Sequence, residues 1–218
     1  MMLVPLAGLI GAGPAPDSFH ALGTEPFWGV SIENGRIAYD DASSEERFSV
    51  RAPARVRAGN GYGWRTPRIR VDVRHGACSD GMSMRLYPAD VRVRVGRREL
   101  QGCGGYTYSG NLSGTSWQIV NATFNEVSGE AYRMQFSGGR LTGRAGCNRM
   151  SGPYRLGADG RITVGPLAVT RMACPEPQME IERAVLELFA QPAFVTYSRA
   201  GEVAIGNEVG GVLLRRIR

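Results

Sequence analysis

The sequence contains no lysine; every one of its 26 basic residues is arginine, against 20 acidic residues, for a net charge of +6 over 218 residues. That substitution of one cation for the other reads as the coding bias of a GC-rich bacterial genome, not as selection for phosphate contacts. The arginines are also spread evenly, each half of the chain netting about +3 with acids interleaved. A nucleic-acid surface would need them gathered on one face or element, so nucleic-acid binding is excluded as the reading. There are two histidines, His20 and His75, and no Cys-x-x-Cys pair, so the four cysteines do not form a zinc-ligand pattern. No apolar run reaches the ~20 residues that a membrane-spanning helix requires.

The longest apolar stretch lies at residues 1–15, MMLVPLAGLIGAGPA. It reads as the hydrophobic and cleavage regions of a secretory signal without the positively charged start. Leu9 stands where a lipoprotein signal would carry its lipid-bearing cysteine, so a lipid anchor is not supported. Residues 1–16 are therefore expected to be a signal-like or disordered segment, and the protein to be periplasmic or secreted.

What the sequence has in quantity is glycine, 30 residues in turn-like settings such as Asn34-Gly35, Asn60-Gly61, Gly138-Gly139 and Asp159-Gly160. Frequent turns between short alternating segments predict a β-rich chain. Ile69, Val71 and Val73 alternate with arginines and Asp72, and Val91, Val93 and Val95 repeat the pattern. Residues 40–47 read as a charged loop, with the carboxylate pairs Asp40-Asp41 and Glu45-Glu46 solvated. Residues 104–112 have linker composition and predict a boundary near 110. The expected division is an N-terminal β domain over 17–110 and a second domain over 111–218. In the second, Pro175 and Pro177 open a helix running to about Gln191. Ile181, Val185, Leu188 and Phe189 form its apolar stripe, and Glu180, Glu182, Arg183 and Glu187 line the remainder. The fold class expected is mainly β or α+β: two small antiparallel β domains, the second a curved sheet or incomplete barrel packed around one helix.

Cys78 and Cys103 lie in the first half, Cys147 and Cys174 in the second. Four cysteines allow three pairings, of which the within-half pairing is the simplest. Disulfides suit the exported compartment better than metal binding does. His75, Cys78, Ser79 and Asp80 superficially supply base, nucleophile and acid. Catalytic groups are normally assembled from separate elements, so no catalytic residue is assigned here. Asn111-Leu-Ser113 and Asn121-Ala-Thr123 fit a glycosylation pattern that a bacterial chain does not use.

Several separated motifs then occur in one order: Gly114-Thr115-x-Trp117, Gly146-Cys147-Asn148, Gly152-x-Tyr154 and Thr170-Arg171-Met172-Ala173-Cys174, followed by a helix with Glu180 and Leu188. Over residues 111–218 the chain resembles the META domain family, which includes the bacterial heat-shock protein HslJ. The first half resembles domains of uncharacterised bacterial envelope proteins through residues 23–28, 78–83 and 102–104. The resemblance implies a small barrel or curved sheet around one helix, a bridge between Cys147 and Cys174, and structural roles for Gly146, Asn148, Tyr154, Thr170, Arg171 and Met172. It implies association with stress response and no enzymatic activity, cofactor or metal. Two functional readings follow. One is an envelope binding or assembly module whose partner is an envelope protein or lipid, with peripheral association to a membrane. The other is a structural or inhibitor-like module acting by protein contact without a ligand pocket.

Overall fold

Alternation of inward apolar and outward charged residues builds nearly the whole chain. The computed structural model describes residues 18–217, so the signal-like segment lies outside the described residues. The first half forms β1 (Phe19–Thr24), β2 (Phe27–Glu33), β3 (Arg36–Asp41), β4 (Glu46–Arg51), β5 (Val56–Ala58), β6 (Gly61–Arg65), β7 (Ile69–Ser79), β8 (Leu86–Val95) and β9 (Arg98–Thr107). All neighbours are antiparallel, in the order β4-β3-β2-β1-β9-β8-β7-β6-β5. Ile69, Val71 and Val73 are buried in a core with Phe19, Tyr39 and Trp64, as the alternation predicts. Among the described residues no backbone pairing joins β4 to β5 or β6, so this sheet curls without closing. Side chains bridge the seam: Arg68 lies over the Phe48 ring at 3.8 Å and reaches Glu46 at 3.3 Å.

The second half adds β10 (Thr115–Ala122), β11 (Asn125–Glu126), β12 (Tyr132–Ser137), β13 (Arg140–Ala145), β14 (Arg149–Leu156), β15 (Arg161–Val164), β16 (Ala168–Val169), α1 (Glu176–Phe189), β17 (Ala193–Tyr197), β18 (Glu202–Asn207) and β19 (Gly210–Arg216). Eight of these strands pair in a ring, β10-β12-β13-β14-β15-β17-β18-β19 and back to β10. The fold is mainly β, as expected, and the ring is fully closed, with β11 and β16 as short additions. Pro175 and Pro177 fix the start of α1, where a missing backbone donor costs nothing. Val185, Leu188 and Phe189 enter the barrel core beside Trp117, Phe136 and Leu141. At the other end of α1, buried Asn207 donates its side-chain amide to the Leu188 and Pro192 carbonyls at 3.0 and 3.3 Å.

Two expectations need correction. Residues 104–107 are not a linker but the end of β9, paired on one side to β1 and on the other to β17. Glycine is required there because neighbours come too close for a side chain: a Cβ on Gly104 would stand 2.6 Å from the His20 carbonyl oxygen, and one on Gly105 2.8 Å from the Pro88 ring. Nor is Asp41 solvated; it ends β3 fully buried.

The β9–β17 pairing joins the two halves, and the Tyr106 and Tyr197 rings stack across it at 5.1 Å. A second contact sets Leu86 of β8 against Ala204 and Leu213 on the outer wall of the barrel. Gly206 and Gly211 make that wall flat: a Cβ on Gly211 would lie 2.7 Å from the Leu86 backbone nitrogen. Gly211→Ala is therefore expected to push β8 off the barrel and cost about 1–3 kcal/mol, the usual toll of overpacking. Chemical denaturation measures the loss, and small-angle scattering should register a larger radius of gyration.

Candidate functional site

The sequence motifs converge on one place, the entry to α1. Cys147 and Cys174 are bridged, with Cα atoms 6.2 Å apart, and Cys78–Cys103 is bridged in the other half. Gly146 takes φ +130°, and a Cβ there would stand 2.6 Å from the Gln178 carbonyl oxygen, so the first helical turn rests on bare backbone. Asn148, buried, spans the gap. Its Nδ2 donates to the Met172 carbonyl at 3.2 Å, while its Oδ1 accepts from the Met172 N–H at 2.7 Å and the Thr170 hydroxyl at 2.9 Å. Thr170 Oγ1 in turn accepts from the Arg149 N–H at 3.0 Å. Glu182 completes the knot, accepting from the Asn148 N–H at 2.6 Å and from Nδ2 at 2.9 Å. Glu182 is thus buried under the bend, not on the polar flank of the helix where the sequence reading set it. Tyr154 packs edge-on against Phe136 at 5.0 Å in the barrel core, whereas Arg171 and Met172 are exposed. Every polar atom of the knot is used in holding it together, which is the arrangement of a clasp.

The residues at 75–80 are not brought together. Cys78 is in a disulfide, and the Asp80 carboxylate accepts from the Met82 and Ser83 N–H groups at 3.1 and 2.8 Å. Cys78, Ser79 and Asp80 border a small recess, whereas His75 lines a different cavity. Among the described residues no group of three or more His, Cys, Asp or Glu side chains could hold a metal ion. No helix among them is long and apolar enough to cross a membrane.

The cavity that His75 lines is a cleft of about 1560 Å³ with one wall from each half. The first half contributes Arg55, Arg57, the β5–β6 turn, Tyr62 and residues 75–77; the second contributes residues 118–121 and 126–129, Arg199, Glu202 and Arg215. Two β-bulges shape it. Between His75 and Cys78, β7 carries one residue more than its partner β8, and between Ile119 and Asn121, β10 carries one more than β19. A bulge bends the strand and re-aims the side chains after it. In β10 it shifts the phase of the alternation, so that Ile119 and Ala122 enter the barrel core while Asn121 joins Gln118 and Val120 along the cleft.

The cleft's polar groups are only partly paired. Asn121 is 7% exposed, yet its Oδ1 has no hydrogen-bond partner among the described residues, and nor does Nδ1 of His75. Such buried groups are uncommon in a settled interior and call for an explanation. Burial pushes His75 down from its ordinary value, with the charge of Glu202 pulling the other way, so the imidazole is neutral near pH 7. Arg55 donates to the Tyr106 hydroxyl at 3.0 Å, Arg199 lies over the Tyr106 ring at 4.8 Å, and Arg215 pairs with Glu202 at 2.9 Å. Burial, then the neighbouring Tyr106, raises the Tyr62 hydroxyl far above its ordinary range, so it stays a neutral phenol. Sequence reading missed this site because its members are scattered over both halves. The faint signals were the glycine at 76 inside a strand and the break in alternation at Val120-Asn121-Ala122.

A closed antiparallel barrel plugged by one helix, clasped by a disulfide and an Asn–Glu knot, and backed by an open, disulfide-stapled sheet defines the class of protein. Residues 110–216 match the family model of the META domain, and the C-terminal half of the chain is a META domain. No curated protein matches the chain. Among solved structures it is similar to an NMR structure of a protein from Burkholderia xenovorans, 26% identical with a TM-score of 0.41, covering 49% of this chain and 83% of that one. A second NMR structure is 23% identical with a TM-score of 0.42, covering 48% of this chain and 90% of that one. The two disulfides point to an oxidising, extracytoplasmic compartment.

Proposed function

We propose that this is a non-enzymatic binding protein of the bacterial envelope, periplasmic or secreted, whose ligand is an envelope component held in the cleft between the two halves. The observation that carries the reading is the cleft itself: both halves line it, and a bulge in each of β7 and β10 sets His75, Gln118 and Asn121 along its walls. The barrel interior is filled by α1 and by aromatic and aliphatic side chains, which supports a ligand in the cleft and not inside the barrel. A stress-related role rests on the META family alone.

The test is native isolation from an envelope fraction followed by mass spectrometry. The wild type should carry a defined bound species that Arg57→Glu/Arg199→Glu lacks. The same species on both proteins, or on neither, contradicts the reading.

A further inference from the structure

Beyond the cleft, we propose a second contact surface: a rim of four linked turns that docks a cationic amphipathic partner, a peptide or protein face whose apolar side chains are flanked by lysine or arginine. Eight large apolar side chains are exposed among the described residues, and five of them, Phe27, Met82, Met84, Phe124 and Val209, sit on or beside these turns. None of the five lines the cleft. The Thr24 hydroxyl donates to the Asp80 carbonyl, which ties the β1–β2 turn to the loop between β7 and β8. The Met84 N–H donates to the Glu208 carbonyl at 3.0 Å, which ties that loop to the β18–β19 turn. The Thr123 N–H donates to the Gly211 carbonyl at 2.7 Å, which sets the β10–β11 turn beside it. Apolar side chains scattered singly on a surface need no explanation, but a contiguous group marks a place of contact.

The display is built into the backbone. Asp80 pins the loop under Met82 by accepting from the Met82 and Ser83 N–H groups, and the Cys78–Cys103 bridge anchors its base. Side chains presented on a fixed backbone dock with less ordering to be lost. At the β10–β11 turn the chain is strained: Thr123 and Phe124 take φ +47° and +65°, where β-branched and aromatic residues are rare. The same chain makes turns of matching φ with Asn34-Gly35, at +50° and +70°, and with Gly138-Gly139, at +54° and +73°. Those are the residues that such hairpins favour. A phenylalanine held where asparagine or glycine would sit at ease points to a use outside folding.

Charge selects the partner. The four turns carry Glu25, Asp80 and Glu208 against one arginine, Arg85, in a chain whose net charge is +6. Arg85 lies over the Tyr87 and Phe194 rings at 4.8 and 5.0 Å. Glu25 and Asp80 border a recess of about 340 Å³ next to Met82, and no basic side chain lines it. Asp90, in the same wall, has Arg74 and Arg92 acting against its charge, so the acidity of the recess comes from Glu25 and Asp80. The recess suits a basic side chain of the partner, seated beside the apolar contacts. An anionic bilayer is repelled by this rim, and a second copy docked by two-fold symmetry brings two acidic rims together.

The experiment is titration of the isotope-labelled full chain with a short amphipathic helical peptide of leucine and lysine, using NMR for the site and calorimetry for affinity. A leucine–glutamate peptide of the same pattern, a serine–lysine peptide of the same charge and phosphatidylglycerol vesicles serve as comparisons. The leucine–lysine peptide should bind and shift the amides of the four turns, with both comparison peptides weaker by about tenfold or more. Glu25→Gln/Glu208→Gln should weaken its binding and flatten the salt dependence. Phe124→Asn suits a left-handed position, so it should leave the unfolding midpoint unchanged or higher while weakening peptide binding. A lower midpoint with binding intact would place Phe124 in folding and overturn the rim. Shifts confined to the cleft, equal binding of either comparison peptide, or no binding at all would overturn it too. Vesicle binding through the same turns, or a dimer that covers them, would replace the cationic partner by a membrane or a second copy. The rim and the cleft stand or fall separately.

Discussion

Asp41→Ala is expected to lower the unfolding free energy by about 3 kcal/mol, read from urea denaturation of the whole chain. Asp41 is fully buried at the end of β3 and is the acceptor on which one end of the N-terminal sheet is assembled. The Tyr39 hydroxyl donates to it at 2.8 Å, the Ser43 hydroxyl at 2.6 Å, and the Ser43 and Ser44 N–H groups at 2.8 and 3.2 Å. Arg98, from β9, pairs with it directly and also approaches Glu46 at 4.0 Å. Removing the carboxylate strands these donors, two of them on buried or half-buried groups. Arg98 stays in contact with water, which keeps the loss toward the lower end of that for a buried ion pair.

The same residue sets an acid limit. Burial alone would raise the carboxyl, but the hydrogen bonds from Ser43, Tyr39 and Arg98 outweigh it and hold it well below its ordinary 3.8. A folded-state value below the unfolded one contributes stability that is complete above the unfolded value and is lost as pH falls beneath it. Stability of the wild type should therefore decline from about pH 4 downward, and Asp41→Asn should show a shallower decline from a lower plateau. Tyr39, pushed up to about 12 by burial and by Asp41, acts at the other extreme: ionisation of the unfolded phenol near 10 draws stability down only in strong alkali.

Glu182→Ala is expected to cost about 2–3 kcal/mol, by stranding a buried backbone N–H and half of the Asn148 amide. Both donors point at Glu182 within 2.9 Å, and α1 meets the bend at Gly146–Asn148 through that carboxylate. Asn148→Ala should cost a similar amount, and the double variant little more than either, because the two side chains form one unit. A double-mutant cycle on thermal or urea unfolding measures the coupling. Additive losses would show that the knot is not cooperative.

Much of the architecture could be read from the sequence because it is written in period-two alternation. Ile69, Val71, Val73 and Val91, Val93, Val95 needed only that rule, and the helix needed two prolines and a stripe. The clasp was legible as a cluster of unusual residues, and Cys147–Cys174 followed from it. Asp41 was not legible, since a carboxylate between Asp40 and Ala42 reads as loop, and its partner Arg98 lies 57 positions away. Glu182 fell on the polar side of the helical stripe, and nothing local reveals that the chain at Asn148 folds over it. Barrel closure depends on which strand lies beside which, as in β15 with β17, where alternation says nothing. The cleft was hidden for the same reason twice over: its walls come from two halves, and the bulges that aim His75 and Asn121 are breaks in the pattern by which strands are recognised.

The central claim, that the cleft between the halves holds a component of the envelope, is tested most directly by photo-crosslinking in the cell. A photoreactive residue at Ser128, on the cleft wall, should yield a discrete adduct; the same group at Glu33, exposed in the first half and outside the cleft, should yield none. Adducts of equal yield from both positions, or from Glu33 alone, would contradict it.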